Sequence, residues 1–392
     1  MTIHQGSVRG AMSDYPYCRY TKSEIAAAGK ILSGTILHDP ARADEISEIF
    51  RIAYNWRDSH AFPMRRIRHE LIQGLRHAGI IGLTSARMKR MASIRRKLRS
   101  SSIRLPQIQD LGGCRAILNQ MADVTTVVQR YREGVSHHVV HSENDYIAEP
   151  KRDGYRSYHV VLRFQPKYDH DTPYADQKVE IQIRTRLQHS WATAVEAVGM
   201  MRGEDFKSGE GNADWRRLFA LMSAEFAAQE GGPVVPDTPL RSNERHQELA
   251  ELTSKLDAVR FLETLNKALN VIDRNIAANA KFFLIQFHRQ PGAIESIVRV
   301  RGFHGPEGAA ASYGAEEAAN ASVNSVLVEV DKAENLKSAY PNYFLDVTTF
   351  TDMLRDIVTP NWRQSLSYDP ARIASTKSTL QAWQLWRQRG RR

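Results

Sequence analysis

Four short runs of β-forming residues constrain the fold of this 392-residue chain more than any other feature: CRAIL (114–118), SHHVVH (136–141), SYHVVLRF (157–164) and VEIQIR (179–184). Each has the length and the Val, Ile, Tyr and Phe content of a strand. Between the first two, MADVTTVVQRYREG reads as a helix ended by Gly134, and after the last, RLQHSWATAVEAVGM and WRRLFALMSAEFAAQ read as two more. Strands interleaved with helices indicate an α/β domain over residues 41–230. Within it, Ile46, Ile49, Phe50, Ala53 and Trp56 recur at helical spacing, Pro63 marks a break, and Met64 to His77 resumes a helical pattern with a basic face. Residues 1–40 show no long period and are taken as an N-terminal extension.

GGPVVPDTP (231–239), with two glycines and three prolines in nine residues, is the clearest linker, and it bounds a linker segment at 231–241. Residues 242–392 read as an accessory α/β module. It has a charged helix over 242–276, strands at KFFLIQFH, SIVRVRGF and SVLVEVD, an alanine-rich helix around 308–321 and another helix from Val347. Nothing in the module groups carboxylates, histidines or glycines in a recognisable catalytic order.

The net charge of +10 makes polyanionic partners expected, and its distribution says more than its sum. RMKRMASIRRKLRSSSIR (87–104) holds eight cations and no acid. Met88, Met91, Ile94 and Leu98 recur in it at helical spacing, so it reads as one amphipathic helix with a strongly positive face; Arg90 and Lys97 fall within about 20° of each other on it. The closing RQRGRR reads as a solvated tail. Two distant cysteines, Cys18 and Cys114, suit a reducing cytosol. No apolar run approaches a membrane span and the start lacks a signal-peptide core, so a cytoplasmic protein with no membrane partner is expected.

The chemistry concentrates in three segments. If VEIQIR is a strand, Glu180, Gln182 and Arg184 share one face while Val179, Ile181 and Ile183 enter the core. A half-exposed edge strand would show the same alternation. DLGGCR sets Asp110 and Arg115 around Gly112 and Gly113, which permit tight turning or close backbone approach, although an Asp before a strand is often only a turn residue. In KRDGYRSYH, Gly154 supports a turn and Tyr155 with Arg156 offers a stacking face beside a charge; a hairpin with a surface tyrosine is the plainer account. Carboxylates for a metal, cations for phosphates and an aromatic face for a base together describe a nucleotide site. No GxxxxGK[ST] or GxGxxG motif is present, and the His-Asp pairs at 38–39 and 170–171 lack the surrounding ligands of a metal-dependent hydrolase.

In order and spacing, RMKRMASIRRK, DLGGCR, DYIAEPKRDGYRSYH and EIQIRT, followed by the helix with Trp191, Ala192 and Glu196, resemble the RelA/SpoT-type alarmone synthetases over roughly residues 80–200. The resemblance implies a nucleotidyltransferase-like mixed sheet flanked by helices. It also implies Mg2+-dependent transfer of pyrophosphate from ATP to the 3′-hydroxyl of GDP or GTP, the alarmone chemistry of the stringent response. By the same resemblance Asp110 and Glu180 would be the catalytic and metal-binding carboxylates, with Glu180 sharing the metal or acting as base. Arg87, Lys89, Lys97 and Arg115 would hold ATP. Tyr155, Lys151, Asp153, Arg156, His159 and Gln182 would hold the acceptor, with Tyr155 stacked on guanine.

Two positions depart from the family pattern. Asp153 stands where Asn commonly precedes Gly-Tyr, and an acid there can accept from guanine N1 and N2. Ala197 follows Glu196 where many small synthetases carry His, which touches the acceptor side and not the metal site. A synthetase without the hydrolase domain of larger members is expected. A toxin that pyrophosphorylates the 3′ end of tRNA is the alternative activity, and an inactive nucleotide-sensing protein the alternative class. The C-terminal module is expected to be autoinhibitory or to engage an antitoxin or other regulatory protein.

Overall fold

The computed structural model describes residues 15–34, 43–206, 209–267, 269–273, 280–289, 296–305, 324–330, 335–344 and 346–359, with isolated positions between 308 and 316. Most of the alanine-rich segment and the RQRGRR terminus lie outside the described residues.

In chain order the elements are α1 (Lys22–Ser33), α2 (Ala43–Asp58), α3 (Ala61–His77), β1 (Gly82–Met88), α4 (Met91–Ser100), β2 (Gly112–Leu118), α5 (Met121–Arg132), β3 (Val139–Asp145), β4 (Tyr158–Arg163) and β5 (Lys178–Thr185). There follow α6 (Arg186–Arg202), α7 (Ala213–Gln229), α8 (Ser242–Leu256), α9 (Ala258–Lys267), β6 (Leu269–Asp273), β7 (Phe282–Arg289), β8 (Ser296–Phe303), β9 (Asn324–Val330), the one-turn α10 (Leu336–Ala339) and α11 (Thr348–Val358). Nine strands form one mixed sheet in the order β3-β4-β5-β2-β1-β9-β7-β8-β6. The β2–β5 and β6–β8 pairs are parallel and the others antiparallel.

Alternation along the strands divides the sheet into two faces. Ala86 and Met88 of β1, Cys114 and Ala116 of β2, Tyr158 and Val160 of β4, and Val179, Ile181 and Ile183 of β5 pack under the apolar stripes of α3 and α5. The opposite face carries α6 and α7, whose Trp191, Trp215 and Phe219 share one core with Val326 and Val328 of β9 and Phe350 and Leu354 of α11. A third cluster joins α1, α2 and α4.

Several expectations shift. The cationic segment 87–104 is not one helix: Arg87 and Met88 end β1, Lys89 is in the connection, and Arg90 is the extended N-cap of α4. The strand expected at 136–141 begins at Val139, and His138 instead stacks on Phe164 and accepts from the Gln165 N–H. Pro63 sits inside the first turn of α3, where it displaces no helical hydrogen bond. The helix expected over 242–276 is interrupted at Asp257, in the left-handed region at φ 48°, and gives way to β6. The segment before residue 40 contains α1, started by a Thr21–Glu24 capping box. Residues beyond the linker add four strands to the same sheet through the β1–β9 pairing, and linker residue Val235 is buried against Ala220 and Ala224 of α7.

Candidate active site

The side chains that leave the sheet on the face away from α3 and α5 form a row across four adjacent strands. Register sets Arg87 opposite Gly113, Gly113 opposite Glu180, Arg115 opposite Gln182, and Gln182 opposite His159. Above this row lies an open cleft of about 680 Å³, walled by α4 through Ser93, Arg96 and Lys97 and by α6 through Glu196, Gly199 and Met200. At its centre Gly113 contributes no side chain, so the floor is open between Arg87 and Glu180.

Asp110, just ahead of β2, receives Lys89 Nζ on Oδ2 at 2.6 Å and Lys97 Nζ on Oδ1 at 3.0 Å. Burial alone would raise its pKa, but the two ammonium groups outweigh it and hold the carboxyl below its ordinary value. Glu180 Oε1 lies 2.9 Å from His159 Nδ1, and its Oε2 accepts from Gln182 Nε2 at 2.9 Å. Burial and the neighbouring Asp110 raise the Glu180 pKa; the hydrogen bonds and charge of His159, with Gln182, lower it further, so the net shift is down. Both carboxylates are therefore ionised at neutral pH. Two acidic oxygen donors facing one cleft suit a hard divalent cation that takes its remaining ligands from phosphates and water.

The β1 end is cationic. Burial opposes the charge on Arg87, but Tyr343, Glu196 and Tyr340 beside it push its pKa up. Arg115 donates from a guanidinium nitrogen to the Ala339 carbonyl at 3.2 Å and lies 5.8 Å from the Tyr340 ring centroid. Arg184 is buried on the same face; desolvation, with Arg115 close by, pulls its pKa down to about 9.

The β4 end is aromatic. Gly154 adopts φ +93°, and a Cβ there would come within 2.9 Å of Ser223 Cβ and 3.0 Å of Trp191, so only glycine fits the turn that presents Tyr155. Tyr155 packs edge-on against Tyr146 and Trp191, Lys151 Nζ lies 5.4 Å from its ring centroid, and burial pushes its hydroxyl up to about 12. Asp153 Oδ1 accepts from the Tyr155 N–H at 2.9 Å and, with Tyr155 and Trp191, lines a small crevice beside the cleft.

The structure thus brings together Arg87, Lys89, Lys97, Asp110, Arg115, Glu180 and Gln182 around one cleft, with Tyr155, Lys151, Asp153 and His159 at its β4 end. Arg156, expected at the acceptor, does not join them. It is 2% exposed and pairs with Glu230 at 2.9 Å, a carboxylate that also receives Thr185 and Gln188 and so ties the start of α6 to the end of α7. It lies in the irregular stretch ahead of β4, where its guanidinium is turned from the cleft toward the end of α7. Tyr340 and Tyr343, which also line the cleft, were not expected there: they lie more than 140 residues beyond the last motif, and only the spacing of two tyrosines in YPNY marks them.

Residues 86–200 match the family model described as "Region found in RelA / SpoT proteins". The matched residues run from β1 to α6. Among curated proteins, GTP pyrophosphokinase YjbM of Bacillus subtilis is 39% identical over 118 residues, which cover 29% of this chain and 54% of that protein. GTP pyrophosphokinase YwaC of the same organism is 31% identical over 116 residues, covering 28% and 54%. The chain spans about half the length of these relatives. The crystal structure of small alarmone synthetase 1 from Bacillus subtilis aligns at 25% identity over 47% of this chain and 92% of that one, with a TM-score of 0.36. Among the described residues no helix is long and apolar enough to cross a membrane.

Proposed function

We propose that this chain is a pyrophosphotransferase that moves the β,γ-pyrophosphate of ATP to the 3′-hydroxyl of GDP or GTP. The observation that carries this reading is the position of Asp110 and Glu180 on one cleft, between a cationic end and an aromatic end. The RelA/SpoT region and relatives named GTP pyrophosphokinase support it. Arg87 and Arg115 would bind the ATP base and α-phosphate, and Lys89 and Lys97 would turn from Asp110 to the phosphates as these enter. Tyr155 would stack on the acceptor base, with Asp153 accepting from its N–H donors and Lys151 near its phosphates. Asp110 and Glu180 would hold Mg2+, which when bound neutralises charge on the transferring phosphates. Glu180 would take the 3′-hydroxyl proton as O3′ bonds to the β-phosphorus and the bond from that phosphorus to the bridging oxygen breaks, releasing AMP.

Purified full-length protein with ATP, GDP and Mg2+ should form the 3′-pyrophosphorylated product. Asp110→Ala and Glu180→Ala should each lose it by about a thousandfold or more; undiminished product in both variants would sink the assignment. The net charge of +10 also suits an RNA acceptor. Labelled ATP offered with GDP or with deacylated tRNA decides between the two by which acceptor gains label.

Residues 335–344 support the autoinhibitory reading of the C-terminal segment. Tyr340 and Tyr343 stand at the cationic end of the cleft, the Ala339 carbonyl occupies a guanidinium hydrogen of Arg115, and the Tyr340 hydroxyl donates to the Ala86 carbonyl at 2.8 Å. In this reading a regulatory partner that lifts the segment frees Arg87 and Arg115. A Tyr340→Ala, Tyr343→Ala double variant should bind a non-hydrolysable ATP analogue at least tenfold more tightly than the unaltered protein, by calorimetry. Equal affinity in a folded double variant would remove the inhibitory role.

A further inference from the structure

The proposed reaction requires the Glu180 carboxylate in one fixed orientation, and a chain of contacts running from the aromatic end of the cleft supplies it. His159 Nδ1 lies 2.9 Å from Glu180 Oε1, and His159 Nε2 lies 2.7 Å from the Tyr155 hydroxyl. An ionised carboxylate can only accept, so Nδ1 carries the hydrogen. Its Nε2 faces the Tyr155 hydroxyl, so the ring is held from both of its nitrogens. The second carboxylate oxygen is held by Gln182 at 2.9 Å, so neither oxygen of Glu180 turns freely. Tyr146 supports the arrangement from the side, with its ring edge-on to His159 at 5.2 Å and to Tyr155 at 5.9 Å, and Lys151 lies over the Tyr146 ring at 4.3 Å.

We infer that the Tyr155 hydroxyl and the His159 imidazole are positioning groups for Glu180, so that the tyrosine whose ring faces the acceptor also orients the carboxylate that receives the acceptor's proton. The inference rests on the reading of Glu180 as base toward the 3′-hydroxyl. Its content is a division within one side chain: the ring of Tyr155 binds, and the hydroxyl acts through His159. It also gives His159 a task distinct from direct contact with the acceptor, since both of its ring nitrogens are engaged within the protein.

Tyr155→Phe keeps the ring and removes only the hydroxyl. With ATP, GDP and Mg2+, the full-length variant should lose kcat by about five- to tenfold, the value of one hydrogen bond, while its KM for GDP stays within about twofold. His159→Ala should lose about ten- to a hundredfold in kcat. His159→Asn, whose amide N–H can occupy the Nδ1 position, should recover part of that loss, with thermal unfolding confirming that each variant is folded. Wild-type kcat in Tyr155→Phe, or a rise in KM with kcat unchanged, would overturn the inference. A readout independent of turnover is the imidazole 15N spectrum of the full chain at neutral pH, with the His159 signals assigned by their loss in His159→Asn. The His159 15N shifts are expected to move in Tyr155→Phe, where the contact to Nε2 is lost; shifts unchanged in that variant would overturn the inference. A His159 signal that moves in Tyr155→Phe, in a protein that transfers nothing to GDP, would leave the positioning chain standing and refute the reaction.

Discussion

Gly112 and Gly113 are neighbours in β2 and answer to opposite faces of the sheet. A Cβ on Gly112 would come within 3.2 Å of Met64 Cβ and 3.4 Å of the His60 carbonyl, so that glycine is required by the contact with α3. A Cβ on Gly113 would meet only the Arg87 carbonyl, at 3.8 Å, and would otherwise enter the cleft between Arg87 and Glu180. Gly113→Ala should therefore leave the melting temperature within a few degrees of the unaltered protein, yet reduce pyrophosphate transfer by about tenfold or more by displacing the reacting groups. Gly112→Ala should show the reverse emphasis, losing about 1–2 kcal/mol in denaturant unfolding through overpacking. A large stability loss in Gly113→Ala would mean that the residue serves packing and not the cleft. The doublet was visible in the sequence as a place of close approach, but which glycine served which face was not, because that depends on strand register. Arg156 was hidden for a related reason: the motif identified the turn, but the ion pair with Glu230 joins residues far apart in the sequence.

Strands with strong β-formers announced themselves, and β1 did not. GLTSARM has one β-branched residue and a glycine at its start, yet it lies near the middle of the sheet because β2 and β9 satisfy both of its edges. Its Arg87 and Met88 were absorbed into the helical period of α4, since a strand followed directly by a helix can mimic a continued apolar spacing. Helix pairing beyond the linker was equally hidden. In α7, Glu225 is buried and receives Arg245 and His246 of α8, with Ser242 Oγ 3.1 Å from each of its oxygens. Burial alone would raise its pKa, but the hydrogen bonds and charges of His246 and Arg245 outweigh it and hold it below the usual 4.5. A depressed folded value means that the ionised carboxylate stabilises the fold above pH 4.5 and that this contribution is lost as pH falls through the folded pKa. Glu225→Gln should cost about 3 kcal/mol at pH 7 by stranding Arg245 without its buried partner. The gap to the unaltered protein should narrow below pH 4.5 in urea unfolding; a gap that is the same at both pH values would show that charge is not what the clamp supplies.

The break in composition at GGPVVPDTP suggests two bodies, but the interactions that cross it argue for one cooperative unit. Val328 of β9 pairs with Arg87 of β1, Glu329 forms a buried ion pair with Arg68 of α3 at 3.2 Å, and Phe350 of α11 packs against Phe219 and Phe226 of α7. The apolar core on the α6–α7 face thus draws its residues from both sides of the linker. Removing everything after residue 241 would expose the β1 edge, leave Arg68 without its buried carboxylate and open the aromatic face of α7 to water. A chain ending there is expected to aggregate or to unfold at a markedly lower temperature, which makes truncation a poor test of the C-terminal segment and point variants at Tyr340 and Tyr343 a better one. Calorimetry of the full chain should accordingly show a single transition whose van't Hoff and calorimetric enthalpies agree. Two resolved transitions, with the lower one abolished by truncation after residue 241 and the upper one unchanged, would establish independent bodies. In that case lifting residues 335–344 from the cleft would detach a whole body, and not only a local segment of one folded unit.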